Sequence, residues 1–216
     1  MFKKVIFAFL KKKPKLTLYF DPSLTNLDPN AFQGDNTETF QEQYRGAKDE
    51  PPPMMPKPRG RGVNITAFVD ASHAANKVTR RSHTGFLIFL NRAPIIWYSK
   101  RQNTVESSTF SSEFIAMKAC VEHITALRYK LRMFGIPIEG PVNILCDNES
   151  VVKNSSKLES TLNKKHSSVA YHLVRWNVAA GIIIVIWIPT NENLADAFTK
   201  RLTAERRIYL FGNWTY

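Results

Sequence analysis

At 216 residues, with 44% apolar and 12% aromatic side chains, the chain is long enough to bury one domain-sized core and too apolar to be disordered throughout. Thirty Lys and Arg against eighteen Asp and Glu give a formal charge of +12, a balance that favours a polyanionic partner. Cys120 and Cys146 are too few for a disulfide framework, no His/Cys spacing suits zinc, and no apolar run is as long as a membrane span, so a reducing intracellular setting without a membrane anchor is expected.

Residues 3–13 are expected to form a short amphipathic helix, with a basic targeting segment as the other reading; after Pro14 the alternation of LTLYF suggests a strand. From Asp21 to about Gly62 the composition turns acidic and Asn/Gln-rich, ending in PPPMMPKPRGRG, which reads as a tether. Strands are expected at 64–70 (NITAFVD), 84–90 (TGFLIFL) and 94–99 (PIIWYS), the last two joined by a tight Asn91–Arg92 turn, so the three suggest an antiparallel meander. Phe110, Phe114, Met117, Val121, Ile124 and Leu131 recur at helical spacing, predicting one long helix over about 108–134 closed by Gly135. VNILCD predicts a buried strand at 142–147, followed by a short helix opening at Asn148 or Glu149. A helix over about 167–180, a strand in IIIVIWIP and an amphipathic helix in NLADAFTKRL complete the series. This order predicts an α/β fold with a five-stranded mixed sheet and helices packed on it.

Charge is uneven along this chain. Residues 51–216 hold three aspartates only, Asp70, Asp147 and Asp196, amid a crowd of Lys and Arg. A basic surface disfavours stray carboxylates, so these look purposeful; the alternative is that they are ordinary caps and turn residues. Asp70 and Asp147 fall at strand ends, Glu113 in the first turns of the long helix and Asp196 early in the last helix, positions that can converge at one sheet edge. Clustered carboxylates are how proteins hold magnesium, and two such ions suit phosphodiester hydrolysis.

VDAS, SSEF, LCDNES and NLADAFTK, with HTGF and WYSKRQNTVESST between them, resemble the ribonuclease H domain of copia-type retrotransposon polyproteins across roughly residues 64–200. The resemblance implies a ribonuclease H-like fold and cleavage of the RNA strand of RNA–DNA hybrids by two Mg2+ ions, for which Mn2+ substitutes. It makes Asp70, Glu113, Asp147 and Asp196 the metal ligands and catalytic residues, with Asp70 and Asp147 binding both ions, Glu113 favouring the leaving-group side and Asp196 the nucleophile side. It also implies that residues 1–20 end a reverse-transcriptase or connection segment, 21–62 form the tether, 63–204 the ribonuclease H domain and 205–216 a tail. The reverse transcriptase is then a partner, and a cytoplasmic particle or the nucleus the setting. A catalytically inactive nucleic-acid-binding remnant is the alternative.

One departure stands out. Many cellular ribonucleases H carry a His between the last strand and last helix; this chain has IPTNEN there, and copia-type sequences commonly lack that His as well. Glu192 is the candidate proton carrier or metal-side group in this loop, and a helix N-terminal charge is its plainer reading. Ser107, Ser108, Thr109 and Asn148 are expected near the substrate, with helix capping equally open for them. Arg81 and Lys100, beside Arg80 and Arg101, and Lys164, Lys165 and His166 are candidate phosphate contacts. Phe89, Trp97 and Trp187 lie in strand patterns and are expected in the core. His172 is expected to be a packing residue on its helix, facing the sheet.

Overall fold

A computed structural model describes Lys11 and residues 17–23, 42–157 and 168–212. The elements are β1 (Ile65–Ser72), β2 (His83–Leu90), β3 (Ala93–Arg101), α1 (Thr109–Met133), β4 (Val142–Cys146), α2 (Glu149–Ser156), α3 (Ser168–Ala179), β5 (Ile183–Trp187), a 3-10 turn (Thr190–Glu192), α4 (Asp196–Thr199) and α5 (Ala204–Phe211). The expected amino-terminal helix and the Lys164, Lys165 and His166 contacts lie outside the described residues, apart from Lys11. Of the strand expected in LTLYF, residues 17–20 are described; Leu18 alone is bridge-paired there, and Leu18, Tyr19 and Phe20 are exposed, so no buried face rewards a ladder.

The sheet order is β3-β2-β1-β4-β5, antiparallel on the β1–β2–β3 side and parallel on the β1–β4–β5 side. This is the mixed five-stranded sheet expected. β1 is central and covered on both faces, which accounts for its nearly unbroken apolar run. Ile65, Ala67 and Val69 face α1 and pack with Phe86, Ile88, Phe114, Met117, Val121 and Val174, whereas Phe68 joins Leu87, Phe89, Leu194 and Leu210 on the other side. Asn91 takes φ +55 in the β2–β3 turn, a conformation that Asn tolerates.

The long helix starts and stops where its sequence signals. The Ser108 hydroxyl accepts from the Ser111 N–H, capping α1. At the other end Gly135 has φ +69, with Gly135 N–H donating to the Arg132 carbonyl and Ile136 N–H to that of Leu131, a Schellman closure.

Four readings change. Phe89 is buried, but Trp97 and Trp187 are 57% and 51% exposed, because β3 and β5 are the edge strands of the sheet and their outer positions lack a covering layer. His172 is exposed and bonds Tyr44 Oη at 2.8 Å; Arg175, about one turn on, is instead a buried residue of α3. The helix expected in NLADAFTKRL is a single turn, since Lys200 is extended, and α5 follows within what was expected to be tail, with Leu210 buried against the sheet.

Residues 42–62, the later part of the expected tether, dock on the domain. Asp49 receives hydrogen bonds from Arg128 (2.5 Å) and Arg132 (2.5 and 2.7 Å), and Ala47 is buried in the main core. Burial pushes the Asp49 carboxyl up, but the two guanidinium groups outweigh it and hold it below its ordinary range. Since Arg128 is itself buried, removing its partner strands a desolvated charge. Asp49→Ala is expected to lower stability by about 2 kcal/mol, read from urea unfolding, with Arg132→Ala costing less.

Candidate metal centre

The pairing of β1 with β4 builds the site. Val69 lies opposite Cys146 in the parallel register, so the next residue of each strand, Asp70 and Asp147, emerges at the same sheet edge. Glu113 reaches that edge from the start of α1, whose first turns are tied to the end of β3: Gln102 Nε2 donates to the Ser112 carbonyl at 2.8 Å and to Thr84 Oγ1 at 3.0 Å. One carboxylate oxygen from each of Asp70, Glu113 and Asp147 lies within 4.8 Å of the others, a spacing at which one divalent ion can bind all three.

Asp70 and Glu113 are buried, and their electrostatics are those of a site designed around a cation. Burial raises the Asp70 pKa, with Asp196 and Asp147 adding to it and Thr199 and Lys200 opposing. Burial raises Glu113 well above its ordinary value, and the negative charges of Asp70 and Asp147 push it further. Glu113 Oε2 is fully buried and has no hydrogen-bond partner among the described residues, an acceptor that a metal ion would satisfy. The residues therefore fit a hard divalent cation.

Asp196 stands at the margin of this set. It opens α4 and pairs with Lys200 Nζ at 2.6 Å, while the same ammonium lies 3.5 Å from Asp70. The Thr199 hydroxyl also donates to Asp70. α4 sits this close because Gly85, opposite Asp70 on β2, has no side chain: a Cβ there would lie 2.8 Å from Phe198 Cβ and 2.6 Å from Thr199 Cγ2. Asn193 is wholly buried; its Nδ2 donates to the Val69 carbonyl at 3.0 Å and to Asp147 Oδ1 at 3.2 Å, and its Oδ1 accepts from Ala195 N–H. One side chain thus joins both aspartate strands to the turn that delivers Asp196.

A cavity of about 460 Å³ opens over the three carboxylates, lined also by Ser72, His73, Thr109, Asn148 and Lys200. Thr109 and Asn148 thus share it with the carboxylates, although Asn148 also caps α2 through Val151 N–H and Ser108 caps α1. Ser107 is exposed outside the cavity lining, and so is Glu192 on its 3-10 turn. Arg81 and Lys100 do not join the carboxylates; they line a second cavity of about 490 Å³ with Asn76, His83, Arg101 and Asn103. Sequence reasoning missed Asn193, Gly85, Gln102 and His73, whose importance arises from contacts across the fold; the four-residue spacing of Asp196 and Lys200 was the one local signal.

No family model matches the chain. It is 28% identical over 145 residues to the "Retrovirus-related Pol polyprotein from transposon RE1" of Arabidopsis thaliana, covering 67% of this chain and 10% of that protein. It is 32% identical over 136 residues to the corresponding polyprotein from transposon TNT 1-94 of Nicotiana tabacum, covering 63% and 10%. The chain therefore spans about a tenth of the length of these curated relatives. LC11-RNase H1, isolated from compost and solved in complex with an RNA/DNA hybrid, matches with a TM-score of 0.50 at 14% identity, covering 63% of this chain and 94% of that one. The relatives are Pol polyproteins of copia-type transposons and the fold is that of ribonuclease H, as the sequence motifs suggested.

Two outcomes follow from the charge crowding. Asp70 and Glu113 hold their protons more tightly in the folded chain than in the unfolded one. Their contribution to stability is thus full below the ordinary carboxylate range and is lost as pH rises through the raised folded values. In chelator, the urea midpoint should fall across that rise, Glu113→Gln should flatten the fall, and Mg2+ should restore the parent. Asn193→Ala should weaken Mn2+ binding by about 10- to 100-fold in calorimetric titration, as expected when a ligand loses its orienting partner.

Proposed function

We propose that the chain is the ribonuclease H part of a retrotransposon Pol polyprotein and hydrolyses the RNA strand of RNA–DNA hybrids. The observation that carries this reading is the Asp70–Glu113–Asp147 set, two of its carboxylates buried, with a Glu113 oxygen that has no partner among the described residues. The transposon relatives and the hybrid-bound ribonuclease H1 of the same fold support the choice of substrate.

Asp70, Glu113 and Asp147 would hold one ion, and Asp196, released from Lys200, would complete the holding of a second, with Mg2+ as the natural metal and Mn2+ a substitute. When bound, such a pair supplies an activated water and charge compensation at the leaving oxygen. The protein orients the carboxylates: Thr199 and Lys200 hold Asp70, and Asn193 holds Asp147. Thr109, Ser72 and Asn148 present short polar groups to the cavity, suited to the 2′-hydroxyls that distinguish RNA. The second cavity, lined by Arg81, Lys100 and Arg101, offers cations to backbone phosphates away from the reacting bond. Residues 63–204 carry all the catalytic residues in this proposal, with the reverse transcriptase joined upstream.

The test incubates the purified chain with a labelled hybrid in Mg2+ and, separately, Mn2+, beside Asp70→Asn and Asp147→Asn. The parent should release RNA fragments while each variant loses more than about 100-fold in rate, exceeding what loss of an orienting partner costs. Binding of hybrid without cleavage in either metal would favour the inactive nucleic-acid-binding remnant. Arg81→Ala and Lys100→Ala should each weaken hybrid binding and reduce its salt dependence by about one ion.

A further inference from the structure

His73 follows Asp70 by three residues, in the turn that leaves β1, and lines the same cavity as Asp70, Glu113 and Asp147. Its Nδ1 lies 3.3 Å from Ser112 Oγ. Ser112 is wholly buried on α1, and its hydroxyl has one proton to give, which the Thr109 carbonyl takes at 2.8 Å. Ser112 Oγ therefore offers the imidazole a lone pair and not a proton. That selects the tautomer with hydrogen on Nδ1 and leaves Nε2 as the nitrogen that gains and loses a proton. The loop is held from the other side by Ala74 N–H, which donates to Ser82 Oγ at 3.0 Å.

Among the described residues that line the cavity, no other side chain is suited to this work. Ser72, Thr109, Asn148 and Ser150 do not exchange protons in the neutral range. Asp70, Glu113 and Asp147 are committed as ligands in the reading above. Glu149 is paired with Lys153 at 2.6 Å, and Lys200 is engaged in holding Asp70, 3.5 Å away. The charged groups that share the cavity with His73 are thus Asp70 from β1, Glu113 from α1, Asp147 and Glu149 from the β4–α2 junction, and Lys200 from beyond α4.

We propose that His73 is the proton donor to the leaving 3′-oxygen in the hydrolysis, an inference that rests on the hybrid-cleaving function proposed above. The oxygen of water forms the new bond to phosphorus and releases one proton to solvent. The bond from phosphorus to the 3′-oxygen breaks, its electron pair goes to that oxygen, and the oxygen takes the proton from Nε2 of the imidazolium. The products are a 5′-phosphate and a 3′-hydroxyl, and the neutral ring, still hydrogen-bonded through Nδ1 to Ser112, is reprotonated from solvent.

The test compares His73→Gln with the parent in single-turnover cleavage of two hybrids, run in Mn2+, which tolerates sulfur. One carries an ordinary scissile linkage and the other a bridging sulfur at the 3′ position, which departs as a thiolate without needing a proton. His73→Gln should lose about 100-fold on the oxygen substrate, and within about 3-fold should match the parent on the sulfur substrate. On the oxygen substrate the parent rate should bend downward as rising pH removes the imidazolium proton, and the variant should lack that bend. Equal losses on both substrates, or no loss on oxygen, would overturn the assignment while leaving the hybrid-cleaving reading intact. A parent that cuts neither hybrid would overturn both, and Asp70→Asn, inactive on both, ties the measured cleavage to this site.

Discussion

The parallel pairing of β1 with β4 is the contact on which the rest of this molecule depends. It joins two strands distant in sequence through Thr66–Asn143 to Val69–Cys146, and the aspartate that follows this paired stretch on each side is thereby delivered to one edge. Two like charges side by side, with Glu113 above them, are costly in a buried setting. The fold accepts that cost because the apolar faces behind the edge, Val69 and Cys146 against Phe114 and Met117, supply the favourable term of folding. The core is thus the means by which charge repulsion is held in place until a cation relieves it.

Around that edge the chain arranges polar groups so that each carboxylate is fixed by something other than the metal. Asn193 reads both aspartate strands at once, Gln102 fixes the start of α1, and Gly85 provides the close approach through which Thr199 and Lys200 reach Asp70. These residues lie on four different segments. Their common feature is that each ties a segment carrying a ligand to another part of the sheet or its edge, the arrangement expected where geometry has to be preserved to within a fraction of an ångström.

The segment 42–62 extends the same logic to the opposite end of α1. Asp49 draws Arg128 and Arg132 together, while Tyr44 meets His172 on α3. A Pro-rich, charged composition reads as a tether because it lacks an apolar periodicity of its own. It nevertheless docks, because its anchoring partners are two arginines one turn apart on a helix far along the chain.

What the sequence alone determined was local: three strands expected at 64–70, 84–90 and 94–99 and found at 65–72, 83–90 and 93–101, the long helix with its hydroxyl-rich start and Gly135 stop, and the presence of carboxylates at strand and helix ends. Those follow from side-chain period and from capping chemistry, which act over a few residues. Only the tertiary structure decided that Trp97 and Trp187 stay exposed on edge strands, that α4 is one turn instead of a full helix, that Arg81 and Lys100 belong to a separate cavity, and that His73 shares a cavity with Asp70 and Glu113. Each of these depends on which strands end up at the sheet margins and which loops meet across it. Such pairings bring together residues as far apart in sequence as Asp70 and Lys200, 130 positions, and no local pattern encodes them.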